Sequence, residues 1–207
     1  MTTPVGGAAR PGTGNACTAV LLAGPSGSGK SRLAAVTGCP RLNLDDFYHD
    51  ADHPGLPRAL GIVDWDHPAS WDGDSALAAL VQLCRTGSAV VPVYDIARSR
   101  RTGERRLDLA DSPLLLAEGV FAPEMVAPLR AADVPLDALY LDRSRTANLV
   151  RRFLRDVAEH RKPLGVLVRR GWALWRRERE DRARALAAGC RPVSMAAAVA
   201  RLRAPTR

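Results

Sequence analysis

The run Gly24-Pro25-Ser26-Gly27-Ser28-Gly29-Lys30-Ser31 matches G-x-x-x-x-G-K-[ST] at every fixed position. Glycines at that spacing let backbone N–H groups turn inward around a phosphate, and a helix opening behind them adds its partial positive charge. Lys30 can then reach the β- and γ-phosphates of a nucleoside triphosphate such as ATP, while the Ser31 hydroxyl can ligate Mg2+. The chain has only two lysines, Lys30 and Lys162, and one of them stands where this chemistry needs it. Carboxylates come next. Asp45 and Asp46 follow a short apolar segment, and Glu118 closes the run Leu114-Leu115-Leu116-Ala117. A carboxylate at a strand end can accept a proton from a substrate hydroxyl or hold magnesium. Asp45 is the candidate for both roles and Glu118 for the metal. Farther on, Arg152 and Arg155 are spaced i, i+3 and share a helix face, with Arg151 beside them. Planar guanidinium groups suit bidentate contacts with phosphate oxygens.

These residues need a scaffold, and the hydrophobic pattern predicts one. Residues 18–23 (TAVLLA) read as a buried strand ending at the glycine-rich run, and residues 30–36 as a helix stopped near Gly38 and Pro40. Residues 41–44 form a second strand, 74–85 an amphipathic helix, and 89–93, 114–117 and 136–141 further buried strands. Residues 123–131 are a helix with proline in its first turn, 144–188 an Arg-rich helical stretch broken near Pro163–Gly165, and 195–202 a last helix. Strands alternating with helices imply an α/β fold: a three-layer arrangement with a parallel sheet and an Arg-rich helical lid at about 144–165. Residues 1–17 read as a flexible tail and 18–207 as a single domain.

Composition narrows the classes. With 207 residues, 46% hydrophobic and 25% charged, the chain can bury a sizeable core and reads as globular. No window is apolar enough to span a membrane, and the start lacks the basic opening and apolar run of a signal peptide. Four cysteines at 17, 39, 84 and 190 form no close pair in sequence, which argues against a zinc site or a disulfide scaffold and favours the cytoplasm. The net charge of +8 is divided unevenly, −4 over residues 1–140 and +12 over 141–207. A basic third of that kind fits a polyphosphate ligand, nucleic acid or an acidic membrane surface. No aromatic-interleaved basic patch and no helix-turn-helix pattern supports nucleic acid. A GTP switch would carry N-K-x-D, which is absent. A homo-oligomer is compatible with all of this.

Gly24–Ser31, Asp45-Asp46-Phe47-Tyr48, Asp64-Trp65-Asp66-His67-Pro68, Pro92-Val93-Tyr94-Asp95 with Ser99-Arg100, Glu118-Gly119 and Arg151-Arg152-Phe153-Leu154-Arg155-Asp156 occur in that order. The set resembles the uridine/cytidine kinase family of P-loop nucleoside kinases, related to phosphoribulokinase and pantothenate kinase. The resemblance implies transfer of the ATP γ-phosphate to the 5′-hydroxyl of a pyrimidine nucleoside, with Lys30, Asp45, Arg152 and Arg155 catalytic. It places Tyr48, Trp65, Asp66 and Tyr94 around the nucleoside, Asp66 on the ribose hydroxyls, and the two arginines in a lid that excludes water. Trp65 stands where the family usually has phenylalanine. Arg98 stands where the family has a histidine that contacts the base. Arginine only donates hydrogen bonds and stays charged, so Arg98 would suit carbonyl, carboxylate or phosphate oxygens on the acceptor. The family's E-R-G-R after the lid arginines is here Glu159-His160-Arg161-Lys162. The alternatives are a kinase for another small hydroxyl compound, such as pantothenate or a sugar phosphate, and a non-catalytic nucleotide-binding regulatory module.

Overall fold

A computed structural model of the chain describes residues 17–25, 28–59, 61–142 and 178–203. In chain order the elements are β1 (Thr18–Ala23), α1 (Lys30–Thr37), β2 (Arg41–Asn43), the small β3 (Arg58–Ala59) and β4 (Ile62–Val63), and α2 (Gly73–Thr86). Then come β5 (Ser88–Asp95), β6 (Arg100–Asp108), β7 (Leu114–Glu118), α3 (Val126–Ala131) and β8 (Leu136–Leu141). The chain closes with a helix over 178–187, β9 (Arg191–Val193) and a final helix, Met195–Arg203. Five strands pair in the order β2-β7-β1-β8-β9, every pairing parallel.

The alternation of side chains along a strand explains why this sheet is covered on both faces. On β1, Ala19, Leu21 and Ala23 enter one core, and Val20 and Leu22 the other. On β7, Leu115 and Ala117 join the first core, Leu114 and Leu116 the second. The first core is completed by Leu80 and Leu83 of α2 and by Val126 and Leu129 of α3. The second is completed by Leu33 of α1 and by Ala198 and Leu202 of the last helix. Helix, sheet and helix therefore form the expected three layers. The ends of α2 show how locally the elements are specified. Asp72 caps its N-terminus by accepting the Ser75 N–H at 3.0 Å, and Gly87 closes its C-terminus at φ 80°.

One expectation fails. Residues 89–93 do not join the parallel sheet; β5 pairs antiparallel with β6 in a two-stranded hairpin outside it. Val90 and Val93 are exposed, so a continuous apolar run here is half solvated. Its partner, Arg-Arg-Thr-Gly-Glu-Arg-Arg-Leu-Asp, carries too few apolar residues to announce a strand. The short β9 is likewise polar in sequence and owes its place to ion pairs. Arg191 of β9 and Arg201 of the last helix both hold Asp137 of β8, each at 2.7 Å, and the Asp137 side chain is only 12% exposed. The expected lid at 144–165 and the arginines from 169 to 177 lie outside the described residues.

Asp137 is a stability device whose sign follows from its surroundings. Burial alone would raise its pKa, but the hydrogen bonds from Arg191 and Arg201 win and hold the carboxyl below the ordinary aspartate range. Its stabilising effect is present above the unfolded-state value of about 3.9 and lost as pH falls through the lower folded value. Asp137→Asn should therefore lower stability at pH 7 by about 2 kcal/mol. The gap in melting temperature between variant and wild type should close as the pH drops below about 4.

Candidate active site

Parallel register brings three strand ends to one place. β7 lies between β1 and β2, and Glu118 at its end stands level with Leu22 on one side and Asn43 on the other. The glycine-rich run begins just after β1, and Asp45 lies just after β2. All of these groups thus gather at the carboxyl edge, where open α/β sheets place ligands.

At the cradle, Gly29 caps α1 in the left-handed region, φ 99°, which a side chain would strain. Lys30 lies back along the loop, its Nζ donating to the carbonyls of Gly24 at 2.7 Å and Pro25 at 3.2 Å. Ser28 is buried, and its Oγ has no hydrogen-bond partner among the described residues. A buried hydroxyl left without a partner beside the glycine-rich run fits a phosphate-binding loop. Ser26 and Gly27 lie outside the described residues. Ser31 Oγ donates to Glu118 Oε1 at 3.0 Å, so the two candidate metal ligands converge. The same oxygen accepts from Arg41 Nη1, also at 3.0 Å, and Glu118 is only 5% exposed. Arg41 is the cation that makes a carboxylate tolerable at the end of an otherwise apolar strand. Sequence reasoning missed it. Its one signal is position: Arg41 and Asn43 share a strand face, and Asn43 pairs with Glu118.

The adjacent aspartates diverge. Asp45 Oδ1 accepts the Val120 N–H at 3.1 Å, which turns it toward the strand ends. Asp46 Oδ1 accepts from Asn43 Nδ2 at 2.8 Å instead. Burial pushes the Asp45 carboxyl above the ordinary range, against the Val120 N–H and the Lys30 charge, with Glu118 adding to the rise. Gly119 makes this placement possible, because a Cβ there would stand 2.8 Å from both Asp45 Oδ1 and Leu44 Cβ.

Beside Asp45 is an aromatic wall centred on Tyr48. Trp65 meets its ring edge-on at 5.7 Å, Tyr94 tilts against it at 6.0 Å, and Phe121 packs at 5.9 Å. Burial, and then the charges of Asp45 and Asp66, raise the Tyr48 hydroxyl, so Asp66 belongs to the same neighbourhood. The turn around Asp66 is capped by others: Asp64 accepts the Asp66 N–H at 3.2 Å and His67 the Ala69 N–H at 3.1 Å. Tyr94 donates its hydroxyl to the His49 carbonyl at 3.0 Å and is pushed up to about 12, chiefly by burial. Trp65 is half-buried, whereas Trp71 is a core residue that stacks on Phe121 and donates to the Leu44 carbonyl at 2.7 Å.

Arg98 is not brought to this group. Asp95 at the hairpin turn accepts the N–H groups of Ala97 and Arg98, and its other oxygen lies 3.5 Å from the Arg98 guanidinium, whose side chain stays 76% exposed. Arg101, which the sequence did not single out, instead lines a cleft of about 400 Å³ together with Asp46, Tyr48 and His49. Arg152 and Arg155 lie outside the described residues.

A central strand that ends in a phosphate cradle, flanked by strand-end carboxylates in a parallel three-layer fold, defines a P-loop kinase. The solved structure of a fructose transport system kinase, so described, from Silicibacter sp. TM1040 shares this fold. Its TM-score is 0.55 at 18% identity, over 90% of this chain and 91% of that one. No family model matches the chain. Among curated proteins, the uridine kinase of Staphylococcus carnosus is 31% identical over 156 residues, 70% of this chain and 71% of that protein. The uridine kinase of Shewanella baltica is 30% identical over 161 residues, 69% and 70%. That of Bacillus pumilus is 28% identical over 154 residues, 71% of each. The chain belongs to the uridine kinase family, and its chemistry is phosphoryl transfer to a hydroxyl group. Among the described residues, no helix is long and apolar enough to cross a membrane.

The close approach at Gly119 gives a direct test. Gly119→Ala should push Asp45 and Leu44 apart, cost about 1–3 kcal/mol of stability by overpacking, and lower turnover more than nucleotide affinity. Thermal melts and steady-state kinetics with each substrate varied in turn would show this split.

Proposed function

We propose that this protein transfers the γ-phosphoryl group of ATP to the 5′-hydroxyl of a pyrimidine nucleoside. The observation that carries this reading is the placement of half-buried Asp45 beside the phosphate cradle on one side and the Tyr48–Trp65–Tyr94 wall on the other. Backbone N–H groups at the end of the glycine-rich run and the N-terminus of α1 hold the phosphates, and Lys30 swings from the loop carbonyls onto the β- and γ-oxygens. The nucleoside lies against the aromatic rings, with Asp66 accepting hydrogen bonds from the ribose hydroxyls. Asp45 accepts the proton of the 5′-hydroxyl as its oxygen bonds to the γ-phosphorus and the bond to the β-phosphate oxygen breaks, giving the nucleoside monophosphate and ADP. A carboxylate whose pKa is raised by burial is a stronger base than an exposed aspartate. Arg152 and Arg155, which the family resemblance assigns to a lid, would pair with phosphate oxygens and exclude water.

Ser31 and Glu118, with Asp45 nearby, offer the hard oxygen donors that Mg2+ prefers, and this ion usually completes its shell with phosphate oxygens and water. When bound, it would neutralise charge on the β- and γ-phosphates.

A screen of uridine, cytidine, pantothenate and a sugar phosphate with ATP and magnesium, read by ADP formation, tests the acceptor. Uridine and cytidine should turn over best. Turnover with only pantothenate or the sugar phosphate would keep the kinase and refute the nucleoside reading. ADP formation with none of them would refute both.

Two variants test the machinery. Lys30→Ala should lose most phosphoryl transfer while its melting temperature stays near that of wild type. Asp45→Asn should lower turnover by about a hundredfold or more while retaining ATP binding. It should also melt no lower than wild type at pH 7. A carboxyl whose folded pKa is raised contributes stability below its unfolded value and loses it as pH rises through the folded value. The amide removes that cost and still accepts the Val120 N–H.

A further inference from the structure

Cys17 and Cys84 are 67 positions apart in sequence, yet they meet where the start of β1 passes the last turn of α2. The Cys17 thiol donates to the Cys84 sulfur at 3.3 Å, and the Cys17 backbone N–H donates to the Cys84 carbonyl, also at 3.3 Å. Both are buried, at 5% and 0% exposure. A disulfide needs sulfurs about 2.05 Å apart on Cα atoms about 4.4–6.8 Å apart. The backbone hydrogen bond already holds the two segments adjacent, so closure asks for about 1 Å of sulfur movement by side-chain rotation. The pair lies at the end of β1 opposite the phosphate cradle, and phosphoryl transfer has no use for it.

We propose that Cys17 and Cys84 are a redox pair that hydroperoxides convert into a reversible internal disulfide. The Cys84 thiolate attacks one peroxide oxygen, the O–O bond breaks, and Cys84 becomes a sulfenic acid as water leaves. The Cys17 sulfur then attacks the Cys84 sulfur, the S–S bond forms, and the S–O bond breaks. The departing hydroxide leaves as water with the Cys17 proton. Two thiols are oxidised and one molecule of hydrogen peroxide is reduced to two of water. Selectivity comes first from contact: the two sulfurs already stand 3.3 Å apart, so a sulfenic acid on one meets the other at once. The Cys17 S–H holds the Cys84 thiol below its ordinary value, despite burial, and Cys17 in turn is raised by that bond. Burial raises Cys39, and it pushes Cys190 up to about 11, so both are poorer thiolates. The bond would enclose the phosphate cradle, α1, β2, Asp45 and most of α2, and would restrict the unfolded chain far more than the folded one.

The test is to treat the full native chain with hydrogen peroxide, denature it without reductant, count thiols and map peptides. Two of the four thiols should be lost to one linked peptide pair joining Cys17 and Cys84, lighter by two hydrogens. The melting temperature should rise, on the order of 5–10 °C, and dithiothreitol should reverse the rise. Turnover with ATP should not change. Cys17→Ser should abolish the linked peptide and the thermal gain and leave a dimedone-reactive sulfenic acid on Cys84. Cys39→Ser should keep both the linked peptide and the gain. Oxidation of Cys39 or Cys190 ahead of this pair, or over-oxidised Cys84 without a cross-link, would overturn the proposal. So would a cross-linked protein that melts no higher than the reduced one.

Discussion

A charge at the inner end of a buried strand is the constraint on which the site depends. All five residues of β7 are buried, and four of them are apolar. The fifth, Glu118, survives there because Ser31 and Arg41 both donate to one of its oxygens. Parallel pairing on both sides then fixes where that carboxylate sits, level with the last part of β1 and the end of β2. Shifting β7 by one residue would send Leu115 and Ala117 to the opposite core and take Glu118 away from Ser31. The packing of two cores and the meeting of three chemical groups are therefore one geometric condition.

The same edge carries an internal opposition between stability and chemistry. Asp45 is held among Leu44, Gly119 and the Val120 N–H, where burial disfavours its charge. Asp137, at the other end of a neighbouring strand arrangement, is held by two arginines that favour its charge. The first carboxylate weakens the fold at neutral pH and is the base of the proposed reaction; the second strengthens the fold and has no part in that reaction. Residues under strain or charge penalty are commonly those that act.

Much of this was legible in the sequence, and the illegible parts have physical reasons. The apolar strands, the helices between them and the phosphate cradle follow from periodicity and a motif whose every position has a use. Asp45 and Glu118 could be read from their places after such strands. The β5–β6 hairpin could not, because Val90 and Val93 face water and β6 is mostly arginine and other polar residues. Ala89 and Val91 on its inner face pack on the first core and mark β5 alone, while the antiparallel pairing with polar β6 leaves no hydrophobic trace. Arg98 was drawn toward the acceptor by its place in the family pattern, but the Asp95 turn fixes its direction. Arg41 and the Cys17–Cys84 pair are contacts across long stretches of chain, and spacing along the sequence carries no record of them.

In the proposed reaction the half-buried carboxylate of Asp45 takes the acceptor's proton beside the cradle. The most direct measurement is the pH dependence of kcat/KM for the acceptor in wild type and in Asp45→Asn. The account predicts an acidic limb in the wild type, with an apparent pKa above that of an ordinary aspartate, and its disappearance from the residual activity of the variant. An acidic limb that persists unchanged in Asp45→Asn would contradict the account.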